Sequence, residues 1–184
     1  MDKPLQKPKI LATESVAKSR LFNIEQVHLA FSNGERRIYE RMRGNNSGAV
    51  MIVPVLAGQT WLLAREYAVG TEKYELGFPK GLIDPGETPV QAANRELQEE
   101  LGFGAKQLIP LKTLAMAPGF FGSQMHIFLA LDLYPSKLPG DEPEPIECVH
   151  FAIADTAKLL ADSDFNEARS VAALFLAKQE LDRS

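Results

Sequence analysis

The segment Gly81-Leu-Ile-Asp-Pro-Gly-Glu87 is followed, after seven intervening residues, by Arg95-Glu-Leu-Gln-Glu-Glu-Leu-Gly-Phe103, and no other stretch constrains the fold of this chain as much. Its second half carries the marks of a helix with defined ends. Thr88-Pro-Val-Gln91 has the form of a capping box with proline at the first helical position. Val90, Ala93, Leu97 and Leu101 repeat at helical spacing, and Gly102 with Gly104 supplies a stop. The spacing predicts a helix over 88–101 that presents Glu96, Glu99 and Glu100 on one face.

Those acids sit badly for the helix itself. Glu99 and Glu100 fall in its last turn, where the dipole disfavours negative charge by about 0.3–1 kcal/mol. The like-charged pair Glu96 and Glu100 adds roughly 0.2–0.5 kcal/mol. A local rule broken without local compensation marks a functional position. A hard divalent cation would relieve it, since Mg²⁺ takes carboxylate oxygens together with substrate phosphates. Three glutamates alone fit a solvated acidic face equally well; the whole pattern does not.

Every specified position matches the motif G-x5-E-x7-R-E-U-x-E-E-x-G-U, with U a bulky apolar residue. At average usage a chance match is on the order of one in ten million, so the segment resembles the Nudix box in earnest. The resemblance implies an α/β fold, a Nudix α/β/α sandwich with a mixed sheet. It also implies hydrolysis of a nucleoside diphosphate linked to another moiety, with Mg²⁺ or Mn²⁺ as cofactor.

The rest of the chain agrees with such a domain. Residues 20–31 and 35–42 alternate loosely about the hairpin signal Ser32-Asn33-Gly34, predicting a small antiparallel amino-terminal sheet. Gly44-Asn-Asn-Ser-Gly48 reads as a linker, dividing the chain into 1–46 and a Nudix domain at 47–184 with its box at 81–103. Ala49–Leu56 and Thr60–Arg65 read as buried strands, 77–87 as a loop, and 108–116, 125–133 and 148–153 as further strands. Helices are expected at 154–161 and 165–181, the last with Val171, Leu174, Phe175 and Leu181 on its apolar face. Such an alternation of strands and helices favours layers with helices on both faces of a sheet.

Composition narrows the partners. A formal net charge of −4 supplies no general attraction for nucleic acid or anionic membrane, so a phosphate-bearing substrate must be drawn locally. The single Cys148 excludes an internal disulfide and reads as a buried small hydrophobe. The amino-terminal residues lack the apolar core of a signal peptide, and the longest apolar run, 49–58, is half a membrane span. A cytoplasmic protein is expected, with no membrane partner. His28, His126 and His150 show no metal-ligand spacing and read as strand positions; Trp61 reads as core.

Carried over residue by residue, the resemblance makes Glu96 and Glu100 direct metal ligands, with Glu99 a ligand or water-holder and the Lys80 carbonyl a further ligand. Arg95 and Glu87 become supporting residues, with Arg95 able to fix Glu99 at i+4. The general base is a box glutamate such as Glu99 or a glutamate of a late loop. Here the acidic run Asp141-Glu-Pro-Glu-Pro-Ile-Glu147 offers Glu142, Glu144 and Glu147.

Pro118, fifteen residues past the box in Ala117-Pro-Gly-Phe-Phe-Gly122, resembles the marker of the ADP-ribose pyrophosphatase subgroup. That subgroup implies ADP-ribose and other ADP-containing substrates (NADH, short diadenosine polyphosphates), with AMP released. It also implies a homodimer through the amino-terminal sheet. Substrate contacts are expected from Glu40, Arg41, Arg65, Pro118 and Phe120. Ala68 stands where many members carry arginine, and Phe78-Pro-Lys-Gly81 is closer to the dinucleoside polyphosphate and diphosphoinositol branch. Two rivals remain: an RNA 5′-end pyrophosphohydrolase, supported by the arginines of 36–43, and a non-catalytic ADP-ribose sensor, which the intact box glutamates disfavour.

Overall fold

The computed structural model describes residues 5–44, 48–140 and 142–183, and the chain divides into two compact units. The linker residues Asn45, Asn46 and Ser47, and Asp141 of the acidic run, lie outside the described residues.

The first unit comprises the amino-terminal residues and the hairpin tip Ala115–Ser123. Three antiparallel strands build it: β1 (Lys9–Lys18), β2 (Asn23–Ala30) and β3 (Arg36–Met42). The expected hairpin is present, with Gly34 at φ 90° and the Phe31 N–H donating to the Glu35 carbonyl across the turn. Strand β1 went unread in the sequence. Its residues are all exposed, so no buried alternation betrays it, and two register shifts interrupt its period. Residues 20–22 fall in the turn rather than in β2. Within this unit Met42 pairs in parallel with Phe121 of the hairpin tip.

The second unit is the layered domain. β4 (Ala49–Leu56) is central, parallel to β9 (Phe121–Pro135) and antiparallel to β5 (Thr60–Ala68) at its far end. β10 (Glu147–Ala152) continues from β5, while β8 (Phe103–Ala117) pairs with β9. The stretch 77–87 read as a loop contains a short strand, and another strand precedes it. β6 (Lys73–Gly77) pairs with β5, and the short β7 (Lys80–Leu82) pairs with β4. Gly77, Pro79 and Gly81 hide that order from propensity.

Successive strand residues point to opposite faces, and both faces of this sheet are apolar. Val50, Ile52, Leu62, Ala64, Phe128 and Ala130 pack with Ala92, Ala93, Leu97 and Leu101 of helix α1 (Pro89–Leu101). The alternate residues, Met51, Val53, Trp61, Leu63, Ile127 and Leu129, are buried on the other side. There the Trp61 indole N–H donates to Thr156 Oγ1 at 3.0 Å, and Phe78 packs edge-on between Trp61 and Phe165. A single 3₁₀ turn, α2 (Thr156–Ala161) and α3 (Ala168–Leu181) complete this layer. The result is the expected α/β/α sandwich on a mixed sheet. Among the described residues no helix is long and apolar enough to cross a membrane.

Details of side-chain direction differ from expectation. Val90 and Phe175 are about half exposed, since α1 and α3 bury narrower stripes centred on Leu97 and Leu174. Gly104 lies inside β8, leaving Gly102 alone, at φ 76°, to end α1. Trp61 is fully buried, and the three histidines occupy β2, β9 and β10. Cys148 is half-buried, and burial pushes its thiol pKa up, as suits a packing residue.

Candidate active site

The capping box that opens α1 forms as read: Thr88 Oγ1 accepts from the Gln91 N–H, and the Gln91 side chain accepts from the Thr88 N–H. The caps fix where the helix starts and stops, and its apolar stripe fixes how it is rotated on the sheet. Ala93, Leu97 and Leu101 seat it on the sheet, and Glu96, Glu99 and Glu100 take the adjoining face.

Arg95 is the hub of that face. Its Nε and Nη2 donate to both oxygens of Glu87, at 2.8 and 2.9 Å. Its Nη1 donates to Glu96 Oε1 and to Glu99 Oε2, each at 2.8 Å, and Nη2 also donates to the Leu82 carbonyl. Planar bidentate pairing of this kind is what guanidinium offers and ammonium does not. Arg95 therefore fixes two acids of its own helix and ties them to the preceding loop through Glu87. Glu87 is held below its usual range chiefly by Arg95, and Arg95 itself is held further up by Glu87 first.

One arginine does not balance these acids. Glu96 and Glu100 are buried, and burial raises both above the ordinary carboxylate range, Glu100 to about 8. Glu100 Oε1 accepts from the Lys80 N–H at 3.1 Å, but Oε2 is buried without a hydrogen-bond partner. A buried, unpartnered carboxylate oxygen is costly unless something cationic meets it. The Lys80 ammonium is paired with Glu66 at 3.0 Å, and its charge favours ionised Glu100 without offsetting the burial.

Beside Arg95, Glu96 and Glu99 lies a polar pocket of about 480 Å³, lined also by Lys80, Gly81, Leu82, Asp84, Pro139, Gly140 and Glu142. The Glu96 carboxylate lies against Gly81, so a Cβ there would push Glu96 out of the place where Arg95 holds it. Among the described residues no three acidic, histidine or cysteine side chains close on one point, since Glu96 and Glu99 turn toward Arg95. The donor set is nevertheless hard oxygen throughout, with Glu100 Oε2 unclaimed, and it fits a divalent cation.

The late loop brings in a residue that sequence reasoning missed. Lys137 donates to the Glu99 carbonyl and, at 3.5 Å, to the Glu100 carbonyl. It supplies at the carboxyl end of α1 the positive charge that the last turn lacks. The two loop acids then part. Glu142 lines the acidic pocket, whereas Glu144 accepts from the Tyr74 hydroxyl at 2.6 Å, an interaction that also raises the tyrosine pKa. Glu147 begins β10 and pairs with Arg65 at 3.1 Å.

Of the expected substrate contacts, four meet in the first unit. Glu40, Arg41, Pro118 and Phe120 line a pocket of about 430 Å³ together with apolar side chains including Ile10, Val27 and Tyr39. Arg65 is elsewhere, in the second unit, held by Glu147 and by Asp164 at 2.8 Å. Beneath Arg41 lies a second unforeseen residue, the buried Glu25. Its Oε2 accepts from Arg41 Nε at 3.0 Å and its Oε1 from Arg43 Nη1 at 3.2 Å. Arg41, then Arg43, hold Glu25 below the usual carboxylate range. A glutamate in a strand whose hairpin partner carries arginines was the available signal; Glu25 and Arg41 are cross-strand partners.

A mixed sheet between helices, with one helix offering an acidic, arginine-braced face to a polar pocket, is the arrangement of a Nudix hydrolase. The NUDIX domain model matches residues 46–175, and the chain belongs to this family of enzymes, whose members generally need a divalent cation. A second model, the NudE-type Nudix hydrolase N-terminal domain, matches residues 8–41. The chain is 61% identical over 181 residues to the ADP compounds hydrolase NudE of Escherichia coli (strain K12), covering 98% of this chain and 97% of that one. It is 28% identical to the ADP-ribose pyrophosphatase of Bacillus subtilis (strain 168), over 90% and 92% of the two chains. A crystal structure of an ADP compounds hydrolase superposes with a TM-score of 0.94 at 60% identity, over 99% of this chain and 98% of that one.

Proposed function

We propose that this chain hydrolyses the pyrophosphate bond of ADP-ribose and related ADP-containing compounds, including NADH and short diadenosine polyphosphates, releasing AMP with Mg²⁺ or Mn²⁺. The observation that carries the reading is the acidic face of α1. It has more buried carboxylate than Arg95 can neutralise, and one buried oxygen of Glu100 is unclaimed. A full-length relative at 61% identity bears the name ADP compounds hydrolase, which supports the substrate class.

In this reading Glu96, Glu100 and Glu99, with the Lys80 carbonyl, hold the cation. When bound, it neutralises pyrophosphate oxygens and acidifies water. Arg95 keeps Glu96 and Glu99 in the orientation that leaves their free oxygens toward the pocket. Glu142, on the pocket wall, accepts the proton of the attacking water at its carboxylate. Phosphoryl chemistry of this kind depends mainly on positioning and charge stabilisation. In the first unit, Phe120 of the hairpin tip offers a half-exposed ring for stacking on a base, and Glu40 and Arg41 of β3 flank it with hydrogen-bonding groups. The same unit exposes Ile10, Val16, Phe22 and Ile38, an apolar surface that suits the face of a homodimer.

The test is product analysis with ADP-ribose, NADH and diadenosine polyphosphates in Mg²⁺ or Mn²⁺, with Glu100→Gln as control. Metal-dependent AMP release that the control abolishes is expected. No AMP from any of these compounds would refute the substrate class.

A further inference from the structure

The loop between β9 and β10 is fastened at both ends and bridges the acidic pocket. At its first end the Ser136 N–H donates to the Gly102 carbonyl at 2.9 Å, and Ser136 Oγ donates to Gln98 Oε1 at 2.7 Å. Lys137 adds its bonds to the end of α1. At the other end Glu147 is held by Arg65. Between them, the fastening nearest Glu142 on the β10 side is Tyr74 of β6, whose hydroxyl donates to Glu144 at 2.6 Å.

That distance is the usual one for a hydroxyl on a carboxylate, which places the bond in the stronger, charge-assisted class. The tyrosine is itself braced, its ring edge-on to Tyr67 with centroids 5.5 Å apart. Only Pro143 separates Glu144 from Glu142, and Pro145 follows. Proline fixes its own φ and restricts the residue before it, so Glu142-Pro-Glu-Pro is a stiff lever. Glu142 stands on the wall shared by the acidic pocket and a second pocket of about 220 Å³ lined by Tyr67, Tyr74 and Glu144.

We infer that Tyr74 is a positioning residue for the hydrolytic reaction: through Glu144 it fixes the loop so that Glu142 faces the acidic pocket. The inference rests on the reading of Glu142 as proton acceptor. It assigns Glu144 a structural duty toward Glu142. Tyr74 is half exposed, so removing its hydroxyl leaves the core intact.

The experiment measures steady-state hydrolysis of ADP-ribose with Mn²⁺ by the full chain and its variants, with melting temperatures alongside. Tyr74→Phe lowers kcat about tenfold with KM little changed, the cost of a misplaced catalytic group. Glu144→Ala does the same, and the double variant is no slower than either single one, because both remove one bond. Glu144→Gln keeps an acceptor and recovers most of the turnover lost in Glu144→Ala. Full turnover in Tyr74→Phe beside a slow Glu142→Gln overturns the role of Tyr74 and leaves that of Glu142 standing. Full turnover in Glu142→Gln removes the proton-acceptor reading and this inference with it. A loss in Tyr74→Phe confined to KM, or losses that multiply in the double variant, overturn the inference on their own.

Discussion

Two ion clusters in this molecule are mirror images in charge. On α1 one arginine, Arg95, is shared by Glu87, Glu96 and Glu99; in the amino-terminal sheet one glutamate, Glu25, is shared by Arg41 and Arg43. Each is over-supplied with one sign. The helix cluster retains surplus negative charge in a pocket whose walls are polar, beside buried Glu100. The sheet cluster retains surplus positive charge, and its Arg41 borders a pocket lined by aromatic and aliphatic side chains. A balanced ion pair fixes geometry; an unbalanced one fixes geometry and leaves a charge for a ligand. On the proposed function, the first cluster would receive a cation and the second an anionic or electron-rich part of a substrate.

Breaking the helix cluster has the largest expected effect. Glu96→Gln removes an acid that Arg95 aligns, and kcat is expected to fall by about 10³-fold or more, the scale of losing metal-derived charge stabilisation. Arg95→Lys keeps the charge but cannot bond three carboxylates in one plane; a loss of about 10–100-fold is expected, as for other residues that orient ligands. If Arg95→Lys were as active as the parent, the cluster would be a surface network with no bearing on turnover.

Breaking the sheet cluster is milder and shows in a different parameter. Arg41→Ala is expected to raise KM for ADP-ribose about tenfold, with kcat little changed, the scale of one charge-assisted hydrogen bond. A fall in kcat with KM unchanged would show that the two clusters do not divide binding from chemistry.

The smallest effect is a pH slope in the metal-free protein. Burial raises Glu100 to about 8, well above the value it takes when unfolded. A raised carboxylate adds no penalty at low pH, where both states hold the proton. Stability is then lost as pH climbs from the ordinary carboxylate range toward about 8. Thermal melts in chelator from pH 5 to 9 are expected to fall along this window and to flatten in Glu100→Gln. Added divalent cation replaces the proton, so its stabilising effect grows with pH. A melt profile identical in parent and variant would contradict this.

How much of this was legible beforehand follows the range of the interactions. The α1 capping box, its glycine stop and the shared face of Glu96, Glu99 and Glu100 are set by residues within a few positions of each other, and they stand where the spacing puts them. The buried strands β4 and β5 were plain from their apolar runs. Strand β1 was hidden because it buries none of its side chains, and β7 because three residues carry no periodicity. Lys137, Tyr74 and Glu25 act across 16 to 70 positions of sequence, on partners that only the folded sheet brings near. The distinction between Glu142 and Glu144 was equally invisible, since the two residues have the same chemistry and adjacent proline contexts.

The most direct test of the charge division is calorimetric titration of Mn²⁺ into the parent chain, Glu96→Gln and Glu25→Gln. Glu25→Gln is expected to bind the cation as the parent does, and Glu96→Gln to bind it at least about tenfold more weakly. Parent-like Mn²⁺ affinity in Glu96→Gln would mean that the acidic face of α1 is not the cation site.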